Sequence, residues 1–249
     1  MRTSLVSPVD SLRNRGAWLF LVLLGHLTVG IALIPPVTAS AQQEHNATLS
    51  NKIDIDFDSF ELDKVPAGFV PVLSGMGKEV SWVVKTEPSA PSGTKVLAQT
   101  SIDELDFRFP LLLYDELVAK NVDVTVQFKT ISGHLEQAAG IIVRFQNEDR
   151  FYMVRANALA NDVQLYKIVD GVRQPIAGEN AKVSSGEWHT LRITVQNVHF
   201  QIFFDNQPLF EADDATFDIG KVGLSTLADS VTIFDNLYVE SRDAKDDTE

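Results

Sequence analysis

Residues 190–196, TLRITVQ, alternate strictly: Leu191, Ile193 and Val195 face one way, and Thr190, Arg192, Thr194 and Gln196 the other. A period of two describes a strand with one buried face, as in an antiparallel sheet. Short segments rich in Val, Ile, Phe and Tyr recur along the chain, separated by turn residues. They are KIDIDF (52–57), VSWVVKT (80–86), KVLAQT (95–100), FRFPLLLY (107–114), VDVTVQFKT (122–130), AGIIVRFQ (139–146), FYMVRANA (151–158), VQLYKIV (163–169), VRQPIAG (172–178), HTLRITVQN (189–197), HFQIFFD (199–205), PLFEAD (208–213), KVGLST (221–226) and SVTIFDNLYVE (230–240). Asp170-Gly171 suits a two-residue type I′ hairpin turn, and Asp205-Asn206 another tight reversal. YDELVAK (114–120) reads as one helical turn. There is no strand–helix alternation and no internal repeat. The pattern predicts an all-β, two-sheet antiparallel sandwich.

The first 41 residues break this pattern. Arg2, Arg13 and Arg15 precede the apolar run Ala17 to Ile34, and Ala39-Ser40-Ala41 supplies an A-x-A cleavage site. These features predict a signal peptide over 1–41; the competing reading is an uncleaved anchor, the one case in which a membrane would be a partner. Residues 42–52 read as a flexible segment, 53–240 as one β-sandwich domain and 241–249 as a charged, disordered tail. Of 21 basic and 34 acidic residues, three Arg and one Asp lie in the leader, leaving 18 and 33 in the mature part. Such a charge repels phosphate backbones and argues against nucleic acid. The chain has no cysteine, which excludes thiol catalysis and thiolate metal sites.

Three stretches carry a resemblance: AGIIVRFQNEDRFYMVRANALANDVQLYKIVDGVRQPIA, GEWHTLRITVQNVHFQIFFDNQPLFEA and GKVGLSTLADSVTIFDNLYV. Together they resemble the concanavalin A-like jelly rolls of the LamG and 3-keto-disaccharide hydrolase (domain of unknown function 1080) type. The resemblance covers roughly residues 54–240 and is strongest over 138–240. It implies two packed, curved sheets with a concave face that often binds saccharide. It does not settle activity, since lectins, glycanases and adhesive modules share the fold.

Strand parity gives a candidate site without the family. In IIVRF, Ile141, Val143 and Phe145 oppose Ile142 and Arg144; in YMVRAN, Tyr152, Val154 and Ala156 oppose Met153, Arg155 and Asn157. In VQLYKIV, Val163, Leu165, Lys167 and Val169 oppose Gln164, Tyr166 and Ile168, and the turn pairs Ile168 with Arg173. Arg144, Arg155, Asn157, Gln164, Tyr166 and Arg173 are therefore expected together on the face away from the core. Arg, Asn and Gln supply paired donors and acceptors for sugar hydroxyls, and an aromatic ring supports a sugar's C–H face. The other reading is a solvated strand surface, on which such side chains cover apolar neighbours with their stems. Lys167 is awkward, because its parity is inward.

Asp54, Asp56 and Asp58 alternate on one strand. The resemblance implies a structural calcium where the first and last strands meet, with Asp56, Asp58 and Asp235 as ligands; the other reading is a solvated acidic edge. Glu211, Asp213 and Asp214 fall short of the glycanase E-x-D-x-x-E motif, because Thr216 stands at the last position. Trp82 and Trp188 read as packing residues. His45, His134, His189 and His199 show no ligand spacing. The resulting expectation is an exported, periplasmic or extracellular bacterial module that binds carbohydrate. The alternatives are a glycoside or 3-keto-disaccharide hydrolase on the same face, and an adhesion module without a small ligand. An enzyme would need a carboxylate beside Arg155 and Tyr166.

Overall fold

The computed structural model describes residues 51–243. The expected leader (1–41), most of segment 42–52 and residues 244–249 lie outside the described residues. Among the described residues there is no helix, and fifteen strands form two sheets. The first runs β13 (Gln207–Asp213), β12 (His199–Phe204), β11 (His189–Gln196), β6 (Val122–Ser132), β15 (Val231–Ser241), β4 (Lys95–Gln99) and β3 (Trp82–Thr86). Strand β1 (Asn51–Ile55) pairs with the far end of β15. The second sheet runs β10 (Val172–Asn180), β9 (Asp162–Val169), β8 (Arg150–Asn157), β7 (Ala138–Asn147), β14 (Gly220–Ser225), β5 (Arg108–Ala119) and β2 (Phe69–Gly75). The pairs are antiparallel, and β15 and β14 insert between strands distant in sequence, as in a jelly roll.

Two elements differ from expectation. No strand was expected at 69–75, where FVPVLSG forms β2. This strand is the sheet's edge, where a proline's missing N–H costs no ladder bond. Residues 114–119 of the expected helical turn continue β5; their pairing with β14 overrides local propensity, through a bulge that sets Val222 opposite Tyr114 and Lys221 opposite Val118. The fold also reaches past 240. Strand β15 ends at Ser241, Arg242 pairs with Asp123 at 2.7 Å, and the Asp243 carboxylate accepts the Lys120 and Asn121 N–H groups at 2.6 and 2.7 Å.

The main core lies between the sheets. Val124, Val126, Phe128, Leu191, Ile193 and Phe200 of the first sheet meet Ile141, Val143, Tyr152, Val154, Val163 and Leu165 of the second. Trp82 is buried in it beside Phe234, ring centroids 5.7 Å apart. Trp188 packs on Val96, Ala98 and Ile233 at the other side of the first sheet, its Nε1 donating to the Ser89 carbonyl at 2.7 Å. A second apolar cluster, including Leu111, Ile142, Phe151, Met153 and Ile168, occupies the outer side of the second sheet.

Lys167 does point inward, and its partner explains why. Its Nζ donates to Asp214 Oδ2 at 2.7 Å, while Tyr152 Oη and the Thr216 N–H donate to Oδ1 at 2.6 and 2.8 Å. Burial opposes ionisation of Asp214 most strongly, but the hydrogen bonds from Lys167, Thr216 and Tyr152 together outweigh it and hold the carboxyl down at about 2. Burial pushes the Tyr152 phenol up to about 12. Because Asp214 titrates lower folded than unfolded, its contribution is present above about pH 4 and is lost as pH falls through about 2. A shift of this size corresponds to about 2 kcal/mol. Urea denaturation of Asp214→Asn is expected to show a loss of about that size at pH 7 and a flatter acid limb than wild type.

Candidate functional site

The hairpin register brings five of the six expected residues onto one face. Asn157 lies opposite Asp162, Arg155 opposite Gln164, Met153 opposite Tyr166 and Ile168 opposite Arg173. Val154 and Leu165, paired in the alternate register, go to the main core. The face extends into β7, where Gly140 lies opposite Arg155 and a Cβ would meet the Ser225 hydroxyl at 2.3 Å. On β10, Gly178 leaves the room that the Gln164 amide occupies, since a Cβ there would lie 2.2 Å from it.

Arg144 does not join them. It has φ +52° in a bulge between Val143 and Asn147, and this irregularity resets the parity of the strand. Phe145 consequently turns outward onto Phe151, with ring centroids 5.7 Å apart. Arg144 is buried and donates to the carbonyls of Lys120 (2.8 Å), Phe217 (2.8 Å) and Asn197, with its guanidinium 5.6 Å from the Phe200 ring. It ties loops to the sandwich and is not part of the site.

Arg155 and Asn157 are not surface residues either: they are only 5% and 3% exposed. One Arg155 nitrogen donates to both Asp162 oxygens, at 2.8 and 2.9 Å, and another reaches Glu136 Oε2 at 3.5 Å. Asn157 donates its amide to the same Glu136 oxygen and accepts the Leu159 N–H at 2.9 Å. The Arg155 Nε is buried without a partner among the described residues. Tyr166 is flanked by two guanidiniums, Arg155 at 5.7 Å and Arg173 at 5.1 Å from its ring centroid. The ring therefore orients cations rather than standing bare for a sugar.

Sequence reasoning missed Glu136 and Asp162. Asp162 has the parity of Gln164 and Tyr166, so the same alternation could have found it. Glu136 lies in the β6–β7 loop, where alternation says nothing. Asp229 fixes that loop by accepting the N–H groups of Leu135 and Glu136 at 3.1 and 3.2 Å, together with that of His134. Burial raises the proton affinity of Glu136 above the usual carboxylate value, and it outweighs the opposing charges of Arg155 and Arg173 and the Asn157 hydrogen bond. The face thus holds two guanidiniums, two carboxylates and two amides around one ring. This set can hold hydroxyls in fixed directions, and Glu136 can accept a proton.

Of the three aspartates expected at the strand junction, Asp56 and Asp58 lie just past the end of β1, and their charges act on the buried Asp235. Asp58 Oδ1 accepts the Thr94 and Lys95 N–H groups at 2.9 and 3.0 Å, and Asp235 Oδ2 accepts the Ser92 N–H at 3.0 Å. Burial pushes the fully buried Asp235 up to about 6, and the charges of Asp58 and Asp56 add to the shift. Carboxylate oxygens are the donor type that calcium takes, and here one oxygen each of Asp58 and Asp235 is already engaged by backbone N–H groups. Glu104, His134 and Asp229, by contrast, bring one ligand atom each within 4.8 Å of one another, although the histidine showed no ligand spacing in sequence.

Residues 82–240 match the model of the 3-keto-alpha-glucoside-1,2-lyase-like domain. No curated protein matches the chain. Among solved structures, the carbohydrate-binding module CBM66 from Bacillus subtilis is similar, with TM-score 0.57, 18% identity, and coverage of 70% of this chain and 96% of that one. A protein of unknown function from Shewanella oneidensis gives TM-score 0.52 at 10% identity, over 87% of this chain and 99% of the other. Lectin II from Ulex europaeus gives 0.51 at 12% identity, over 77% and 98%. At these identities the likeness is one of fold: the chain is a concanavalin A-like sandwich.

Proposed function

The chain belongs to the 3-keto-alpha-glucoside-1,2-lyase-like domain family, and from this premise we propose that the outer side of its second sheet, around Arg155, Tyr166 and Arg173, binds saccharide in an exported protein. One observation carries the reading: a single ring beside two guanidiniums, with Gln164 and Asn157 directed by the sheet and Glu136 by the loop that Asp229 holds. Hydroxyl groups need donors and acceptors already oriented, and ordering them in advance lowers the cost of binding. The carbohydrate-binding neighbours support it by fold. A glycan array on the protein, with products analysed in the same wells, is the test. Binding to no glycan would remove the reading.

A second reading, catalysis, is favoured by Glu136, the carboxylate that an enzyme requires beside Arg155. In a 3-keto-glucoside the C2 proton is acidified by the adjacent ketone. A base that takes this proton lets its electron pair form the C1–C2 double bond as the C1–O bond breaks, and the leaving oxygen takes up a proton. Glu136, with its raised proton affinity, is the candidate base, while Asp162 stays matched to Arg155.

Asp56, Asp58 and Asp235 are proposed to hold calcium, which would stabilise the junction of β1 and β15 and take no part in chemistry. Bound at a hundredfold excess over its dissociation constant, calcium adds about 2.7 kcal/mol. Melting in millimolar calcium is expected above that in EDTA, and Asp56→Ala should bring the two curves together. Coincident curves for wild type would remove the site.

A further inference from the structure

We propose that the saccharide bound on this face is acidic, a uronic acid whose carboxylate is held by Arg173. The inference rests on the saccharide reading above and adds the ligand's charge. In a chain of net charge −13, arginines find carboxylates easily. Arg150 pairs with Asp170, Arg155 with Asp162, Arg192 and Arg242 with Asp123, and Arg108 with Asp103. Arg144 spends its donors on carbonyls. Arg173 has neither an ion pair nor a hydrogen bond among the described residues. Its guanidinium lies instead over two rings, 5.1 Å from the centroid of Tyr166 and 5.8 Å from that of Phe109.

That placement has a chemical consequence. A guanidinium resting on aromatic faces keeps its N–H edge free, and this edge matches a carboxylate with two parallel hydrogen bonds. Ring contact also limits the entropy lost when the pair forms. The nearby carboxylates are engaged elsewhere. Asp162 is taken by Arg155, and Glu136 by Asn157 and Arg155, so neither closes on Arg173. The buried, unpartnered Arg155 Nε lies on the same face. A neutral sugar could use the amides but would leave the N–H edge of Arg173 without a charged acceptor, although its charge is felt by Glu136.

The test is calorimetric titration of the protein with oligomers of galacturonate, mannuronate and guluronate, and with the same oligomers after reduction of their carboxyls to primary alcohols. Neutral glucans and fructans run beside them. At least one acidic oligomer is expected to bind roughly ten- to a hundredfold tighter than its reduced form. Added salt should narrow the gap, Arg173→Gln should close it, and Arg173→Lys should keep part of it. Equal affinity for acidic and reduced forms, or binding of neutral glycans alone, would overturn the acidic ligand while leaving the saccharide site standing. Binding of no oligomer at all would remove the saccharide reading and this inference with it.

Discussion

Glu136→Gln is expected to lower turnover of a cleavable saccharide by about 10²–10⁴-fold, the range typical of a general base, with a far smaller change in affinity. Glutamine keeps the shape and an acceptor for Asn157, so the loop held by Asp229 should stay in place. The ability to take a proton is lost, together with the charge that faces Arg155. The pH profile gives a separate readout. Activity of the wild type should rise with pH through a value above the usual carboxylate range, because burial favours the protonated acid. The rise should vanish in the glutamine variant. A protein that binds glycan and releases no product would leave the binding module alone.

Leu165→Ala is expected to cost about 2–5 kcal/mol of stability, measured by urea denaturation, because the side chain is fully buried between the sheets. Its neighbour Tyr166 should behave differently. The ring is half-buried on the opposite side of the same strand, and its removal should reduce binding more than stability. A silent Leu165→Ala beside an unfolded Tyr166→Ala would invert the faces. Arg155→Ala is a poorer probe. Arg155 is buried and holds two carboxylates, so its loss leaves Asp162 and Glu136 without their counter-charge and should destabilise the fold as well as weaken binding.

The faces of β8 and β9 were legible because alternation survives wherever a ladder is regular. Arg155, Asn157, Gln164, Tyr166 and Arg173 follow from it and from the Asp170-Gly171 turn, where Val169 does lie opposite Val172. Two failures share a cause: Arg144 and Glu136 sit where the ladder is interrupted. Arg144 lies in a bulge, and one residue at positive φ exchanges the faces of Arg144 and Phe145. Glu136 comes from a loop fixed by Asp229, 93 residues away in sequence. The strand at Phe69–Gly75 carries a proline, which its edge position tolerates. Lys167 looked misplaced because its partner, Asp214, stands 47 residues further on, beyond β13. Burial of the site was also invisible: parity assigns a side, and whether that side is wet depends on packing that no local pattern contains.

The central claim is that the face around Tyr166 holds saccharide, and the most direct measurement is calorimetric titration of wild type and Tyr166→Ala with the best glycan from an array, with melting curves on both. Without the ring, Arg173 and Arg155 lose the surface that orients them, and affinity should fall about tenfold or more while the melting temperature moves little. Equal affinity in the two proteins, both folded, would contradict the claim and place the site elsewhere on the sandwich.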